Sequence, residues 1–193
     1  ESLQVSPVGA DFTTRFELPS DVDDAAPRVV YFPGSTIGNF GPQSAIQLLE
    51  NIRSIRRADG ALLIGIDRKK EVETIEAAYN DAAGITAQFN QNVLHRINGE
   101  FGADFDVDAF AHWAFYNRDH GRVEMHLKSK SQQAVRVNGH EFAFREGETI
   151  RTEFSYKFSL EEFSALANQA DLRLAESWSD KNEMFSLLYL TAA

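Results

Sequence analysis

Cysteine is absent from all 193 residues, so the chain can form no disulfide, offer no thiolate nucleophile and build no zinc site on sulfur. No apolar stretch approaches the roughly 18 residues needed to cross a bilayer, and the N-terminus lacks the basic-then-apolar layout of a signal peptide. No run of Lys or Arg breaks a formal net charge of -10, which repels phosphate backbones and anionic lipid alike. The sequence therefore argues against nucleic acid and membrane as partners, and the expected address is cytoplasmic. Neither a phosphate-cradling Walker loop nor a serine nucleophile elbow occurs, which removes support for nucleoside triphosphatases and serine hydrolases. Internal repeats and low-complexity segments are missing too.

What remains is the composition of a folded protein. Apolar residues make up 43% and charged residues 25%, enough for one ordinary core, or a smaller core plus an appended lobe. The run RVVYFP (28–33) is β-branched and aromatic and ends at Pro33-Gly34, which predicts a strand followed by a turn. QSAIQLLENIRSIRR (43–57) puts Ile46, Leu48, Leu49, Ile52 and Ile55 near helical spacing, with cations at the end where the helix dipole favours them. ALLIGI (61–66) is a continuous apolar run, as in a strand covered on both faces. Strand, helix and buried strand make one βαβ unit. Parallel sheets hold ligands beyond the carboxyl ends of their strands, so the loops after Phe32 and Ile66 are the places to search for a site.

From Lys69 the texture changes. Residues 70–101 are polar and helical in pattern, with Val72, Ile75, Ala78, Tyr79, Phe89, Val93, Leu94 and Ile97 as the apolar positions and Gly84 as the interruption. WAFYN, RVEMHLKS, QAVRVN, HEFAF and ETIRTEFSYKF then alternate apolar with polar around Asp-His-Gly and Asn-Gly turns, an expected antiparallel meander. Ser159-Leu-Glu-Glu begins a capped helix, and strands are expected near Leu172–Trp178 and Met184–Leu190. A further strand is expected at residues 2–6. An insertion lobe, 69–156, thus splits an open-sheet domain made of 1–68 and 157–193.

Several residues invite a chemical role. His95, His112, His120, His126 and His140 lack metal-site spacing, so no metal is expected. Asp104, Asp106 and Asp108 alternate, but the sixth and twelfth loop positions counted from Asp104 hold Ala109 and Phe115 rather than the Gly and Glu of an EF-hand, which leaves a solvated loop or cap. Asn39, in FPGSTIGN, serves equally well as a turn or cap residue or as a ligand at a strand's carboxyl end. Tyr79 can pack its ring in a core or reach a ligand. Glu153 and Ser155, two apart on a strand, share a face, where they form either a solvent-facing polar row or a receptor for a cation or an imidazole.

FPGSTIGN, LLIGID with the following Arg-Lys-Lys, EAAYNDAAGITAQFN, the stretch from LHRIN to GADFD, VEMHL and GETIRTE-x-SYKF together resemble the histidine-specific N-alpha-methyltransferases of ergothioneine biosynthesis, class I enzymes that use S-adenosylmethionine (SAM). The resemblance runs over essentially the whole chain and covers the family's later part. It implies an α/β fold, a partial Rossmann-like SAM methyltransferase domain with an α+β insertion lobe that closes over the amino acid. It implies L-histidine as substrate, methylated on its α-amine up to the trimethylated betaine hercynine. By position it implies catalytic and substrate-binding roles for Asn39 and Tyr79 at the amino and carboxylate end, and substrate-binding roles for Glu153 and Ser155 at the imidazole. Asp11 and Phe12 match the pair beside the SAM adenine, and Gly34 lets the backbone approach the reacting groups. The family's glycine-rich SAM loop, its acidic ribose ligand and an N-terminal substrate-site tyrosine all precede residue 1. The chain is accordingly expected to be a fragment whose missing N-terminal part is a partner. The alternatives are a methyltransferase for another amino acid or amine, and a non-catalytic scaffold.

Overall fold

The computed structural model describes residues 5–20, 26–56 and 59–193. The chain divides into two compact units, Glu1–Arg68 with Phe158–Ala193, and Lys69–Lys157. They are called here the split unit and the inserted unit.

The split unit is built on a four-stranded sheet of order β1-β2-β9-β8. Strand β1 (Val29–Phe32) lies parallel to β2 (Ala61–Asp67), and helix α1 (Pro42–Arg56) makes the crossover. Proline suits the first position of α1, because its ring presets the helical φ and its missing N–H is one the first turn leaves unpaired anyway. Strand β9 (Phe185–Ala192) runs antiparallel to β2, and β8 (Leu172–Ser179) runs antiparallel to β9. Leu62, Ile64 and Ile66 of β2, Leu48 and Leu49 of α1, and Leu188 and Leu190 of β9 meet in one aliphatic core. Phe163 and Ala167 join it from helix α4 (Leu160–Asn168), which opens with a complete capping box between Ser159 and Glu162. Arg68 and Phe158, where the chain leaves and re-enters this unit, form a parallel bridge.

The inserted unit carries α2 (Val72–Tyr79), α3 (Ile85–Phe101) and five strands, β3 (Phe110–Asn117), β4 (Arg122–Ser129), β5 (Gln133–Val137), β6 (His140–Phe144) and β7 (Thr149–Tyr156). Gly84, at φ 71°, ends the linker between the helices, and Asp81 accepts from the backbone N–H groups of Ile85 and Thr86 to start α3. The strands do not form the single meander expected from their alternation. Strands β3, β4 and β7 make one antiparallel sheet in that order, while β5 and β6 form a separate hairpin. Alternation sets each strand's faces but not its partner, and here β7 passes over the hairpin to pair with β4.

Two other expectations change. Of the strand expected at 2–6, residues 2–4 lie outside the described residues, and Val5 and Ser6 carry no strand. Phe89 and Val93 match the apolar spacing of α3, yet Phe89 is 66% exposed whereas Leu94, on the same helix, is 1% exposed.

Candidate functional site

In the split unit the turn after β1 and the end of β2 are held together, since the backbone N–H of Asp67 donates to the Ser35 hydroxyl at 2.8 Å. The loop comes this close because position 65 has no side chain. A Cβ there would lie 2.6 Å from the Phe185 ring and 3.2 Å from the Gly34 nitrogen. Gly34 (φ 79°) and Ser35 (φ 57°) take the left-handed positions of the turn, and Ile37 is fully buried and anchors it.

Asn39 closes the short 3-10 turn Thr36–Asn39 with its residue exposed. Within that turn it neither takes a left-handed backbone angle nor starts helix α1. The positive φ values belong to Gly34 and Ser35, and the first intrahelical acceptor for α1 is the carbonyl of Gly41, which receives the Ala45 N–H. Asp11 and Phe12 come to the same strand end. Phe12 packs its ring 5.7 Å from that of Phe32 and 6.3 Å from that of Phe40, and remains 45% exposed. Asp11 Oδ1 accepts from the backbone and hydroxyl of Thr13, which hold the carboxyl below the usual aspartate value.

In the inserted unit the helix-covered face of the sheet is set by register. Glu153 pairs with Met125 and Ser155 with Val123, with a β-bulge at Thr152 just before them. Thr152 gives its hydroxyl to the Met125 carbonyl and to Asn90 Oδ1, and Asn90 donates to the His126 carbonyl, so α3 is fastened at the bulge. The next residue on that face is Lys157, 3% exposed. Its ammonium donates to the Tyr79 hydroxyl at 2.8 Å and to the Ser155 hydroxyl at 3.0 Å, and lies 4.9 Å from the centre of the Tyr79 ring. Tyr79 is held from behind as well, because its carbonyl accepts from His112 Nε2.

Glu153 faces a groove of about 420 Å³, lined also by Phe89, Asn90, Val93, Met125 and Thr152. Burial pushes its carboxyl above the usual glutamate value, and the positive charge of Lys157 pulls the other way. The fold of the inserted unit therefore brings the hydroxyls of two residues singled out from the sequence, Tyr79 and Ser155, onto one buried cation whose charge also reaches the third, Glu153. Lys157, one residue past β7, continues the alternation at i+4 from Glu153, but alternation does not say that a lysine will be buried. The contribution of Phe89 and Met125 to a groove carries no local signal at all.

The opposite face of the same sheet has another character. Trp113 stacks on Phe115 at 4.5 Å, Arg122 lies 4.7 Å over Phe154, and the Glu124 carboxylate binds Arg122 and His126. Phe154 lies on this face, away from Glu153 and Ser155. Among the described residues no group of three or more His, Asp or Glu side chains is placed to hold a metal ion. Asp106 instead caps the turn at 107–109, and Asp104 accepts from the backbone of Arg136.

Residues 1–192 match the model of a family described as histidine-specific methyltransferase, SAM-dependent. The chain is 42% identical over 162 residues to a histidine N-alpha-methyltransferase of Mycolicibacterium smegmatis, a match covering 83% of this chain and 50% of that protein. It is 31% identical over 180 residues to the L-tryptophan methyltransferase trpM of Psilocybe serbica, covering 91% and 49%. It is 28% identical over 159 residues to ergothioneine biosynthesis protein 1 of Schizosaccharomyces pombe, covering 82% and 21%. The chain thus spans about half the length, or less, of these curated relatives.

Proposed function

The chain belongs to the histidine-specific, SAM-dependent methyltransferase family, and from that premise we propose that the protein methylates the α-amine of L-histidine, up to the trimethylated betaine hercynine, as a step of ergothioneine biosynthesis. The observation that carries this reading is the inserted unit's polar cluster. Two hydroxyls bonded by a buried ammonium, two residues along the same strand face from a carboxylate that lines a groove of about 420 Å³, suit a small zwitterion with a ring that both gives and takes hydrogen bonds.

The residues at the end of β1 fit the methyl donor. Phe12 offers a half-exposed ring, Asp11 is ionised by its Thr13 hydrogen bonds and keeps Oδ2 for an exocyclic amine, and a Cβ at Gly34 would meet nothing within 4 Å, so the backbone there is open to approach. When bound, SAM supplies an electrophilic methyl on a sulfonium, open to in-line displacement by an amine lone pair. This chain's residues bind and orient. In the split unit Asn39 Oδ1 is suited to accept from an α-amine and so to direct its lone pair; in the inserted unit the Tyr79 hydroxyl is suited to donate to a carboxylate. Glu153 accepts an imidazole N–H, and Ser155 addresses the other ring nitrogen. The desolvated setting of Glu153 strengthens that bond relative to water. The inserted unit is, on this reading, the substrate-binding lobe.

The test is incubation of the protein with SAM and L-histidine, with mass spectrometry of the product. Histidine carrying up to three added methyl groups is expected. A protein that binds both compounds and leaves histidine unmethylated overturns the proposal. Asn39→Ala should weaken histidine binding roughly tenfold while leaving the melting temperature near that of the parent, because the side chain is exposed and caps nothing. A second reading, methylation of another aromatic amino acid, draws on the identity to the tryptophan methyltransferase. Glu153→Ala separates the two in an amino-acid screen, since only a histidine enzyme loses its preferred substrate.

A further inference from the structure

We propose that Lys157 is a specificity-determining positioning residue, which turns the Ser155 and Tyr79 hydroxyls into obligatory hydrogen-bond donors and so makes the site select a ring with one lone pair and one N–H. The inference rests on the functional reading above for the identity of the ligand. An ammonium carries three donors and no acceptor, so any hydroxyl it bonds must be the accepting partner. Lys157 Nζ lies 2.8 Å from Tyr79 Oη and 3.0 Å from Ser155 Oγ, and both oxygens therefore spend a lone pair on it. Each hydroxyl hydrogen is then left to point elsewhere, toward a ligand acceptor.

A serine hydroxyl alone is ambiguous, since it rotates to give or to take as a ligand requires. Ser155 is buried at 6% exposure beside a cation exposed to only 3%, and that charge removes the ambiguity. Two residues back on the same face, ionised Glu153 offers the complementary group, an acceptor with no hydrogen to give. A neutral imidazole satisfies both, with its lone pair on Ser155 and its N–H on Glu153. A pyrrole or indole brings only an N–H and leaves the Ser155 hydrogen facing carbon. An imidazolium brings a hydrogen to both sides and meets the Ser155 hydrogen head-on. Charge on Lys157 thus acts on ring choice without Lys157 touching the ring. The same cation orients Tyr79 as a donor, which suits an acceptor-only carboxylate.

Calorimetric titration of L-histidine and of β-(pyrrol-2-yl)alanine into the wild-type protein, Lys157→Met, Ser155→Ala and the double variant tests this. The wild type should prefer histidine, and Lys157→Met should narrow the ratio of the two affinities roughly tenfold, with Ser155→Ala narrowing it to a similar degree and the double variant no further than either. A purely structural role for Lys157 would weaken both ligands alike and leave the ratio unchanged, which would overturn the inference. Ser155→Ala keeps the buried lysine in place, so a full histidine preference in that variant overturns the inference even where Lys157→Met fails to fold. A wild-type protein that binds no histidine removes the functional reading itself, and is distinguishable because no variant is needed to see it.

Discussion

The split unit and the inserted unit use their sheets in opposite ways. In the split unit one face of β2 is fully buried, at Leu62, Ile64 and Ile66, while Leu63 on the other is only part-buried beside exposed Tyr31, so the strand is not covered on both faces as its apolar run predicts; the candidate residues Asn39 and Gly34 sit on the turn beyond the end of β1. In the inserted unit the candidate residues Glu153 and Ser155 stand on the sheet itself, with the charge of Lys157 buried beside them. One sheet is an aliphatic support whose loop carries the candidate binding residues. The other accepts polar groups in its interior, which costs desolvation unless each finds a partner, and uses those partners to aim one another. Substitutions should therefore register as lost stability in the first sheet and as lost recognition in the second.

The largest effect on stability is expected from Ile64→Ala in β2. Removing a fully buried branched side chain from that core should cost about 2–5 kcal/mol in urea unfolding. Ser155→Ala, which takes one acceptor from buried Lys157, should cost less, about 1 kcal/mol, and a loss as large as that of Ile64→Ala would erase the contrast between the two sheets.

Next comes Glu153→Gln, which keeps the shape and removes the charge. Histidine affinity should drop roughly tenfold. Because burial raises this carboxyl above the ordinary 4.5, the ionised acceptor is lost as pH falls through a value higher than 4.5, and wild-type affinity should fall with it. Affinity measured across pH should lack that limb in the variant. The sign for stability is the reverse. A carboxyl with a raised folded-state value contributes stability that is present below its unfolded value and lost as pH rises through the folded one. At neutral pH Glu153→Gln should thus melt slightly higher than the parent while binding less well, the trade expected of a recognition group placed inside a sheet.

Smaller effects test the helix starts. Ser159→Ala, which breaks the capping box of α4, should cost about 1 kcal/mol by urea unfolding. In the inserted unit Asp81 is pulled down to about 2, first by the Thr86 side chain and then by the Thr86 and Ile85 backbone at the start of α3. Its contribution is present above the unfolded value of 3.8 and disappears as pH falls through about 2. Thermal melts of Asp81→Ala should lie slightly below the parent at neutral pH and converge with it at the acid end.

Much of this was readable along the chain. The βαβ unit, the break at Gly84, the capping box at Ser159 and the two last strands all follow from spacing and punctuation, because each depends on neighbours within a few residues. The shared face of Glu153 and Ser155 is equally local, a period of two on a strand. For Asn39 the sequence leaves turn and ligand open; the backbone gives the left-handed angles to Gly34 and Ser35 and the helix's first acceptor to Gly41, so neither of those two tasks falls to Asn39.

What no stretch of sequence could decide is which strand pairs with which, and what is buried once they do. The alternating segments read as a meander, and only tertiary pairing set β7 against β4 and left β5 and β6 as a separate hairpin. That pairing, with α2 on the same side, puts Lys157 against a hydroxyl from position 79 and another from position 155. Periodicity fixes where a side chain points relative to its own neighbours. Burial of a charge, and the direction it imposes on two hydroxyls, depends on chain segments 78 residues apart meeting at hydrogen-bond distance, and only the folded molecule provides that.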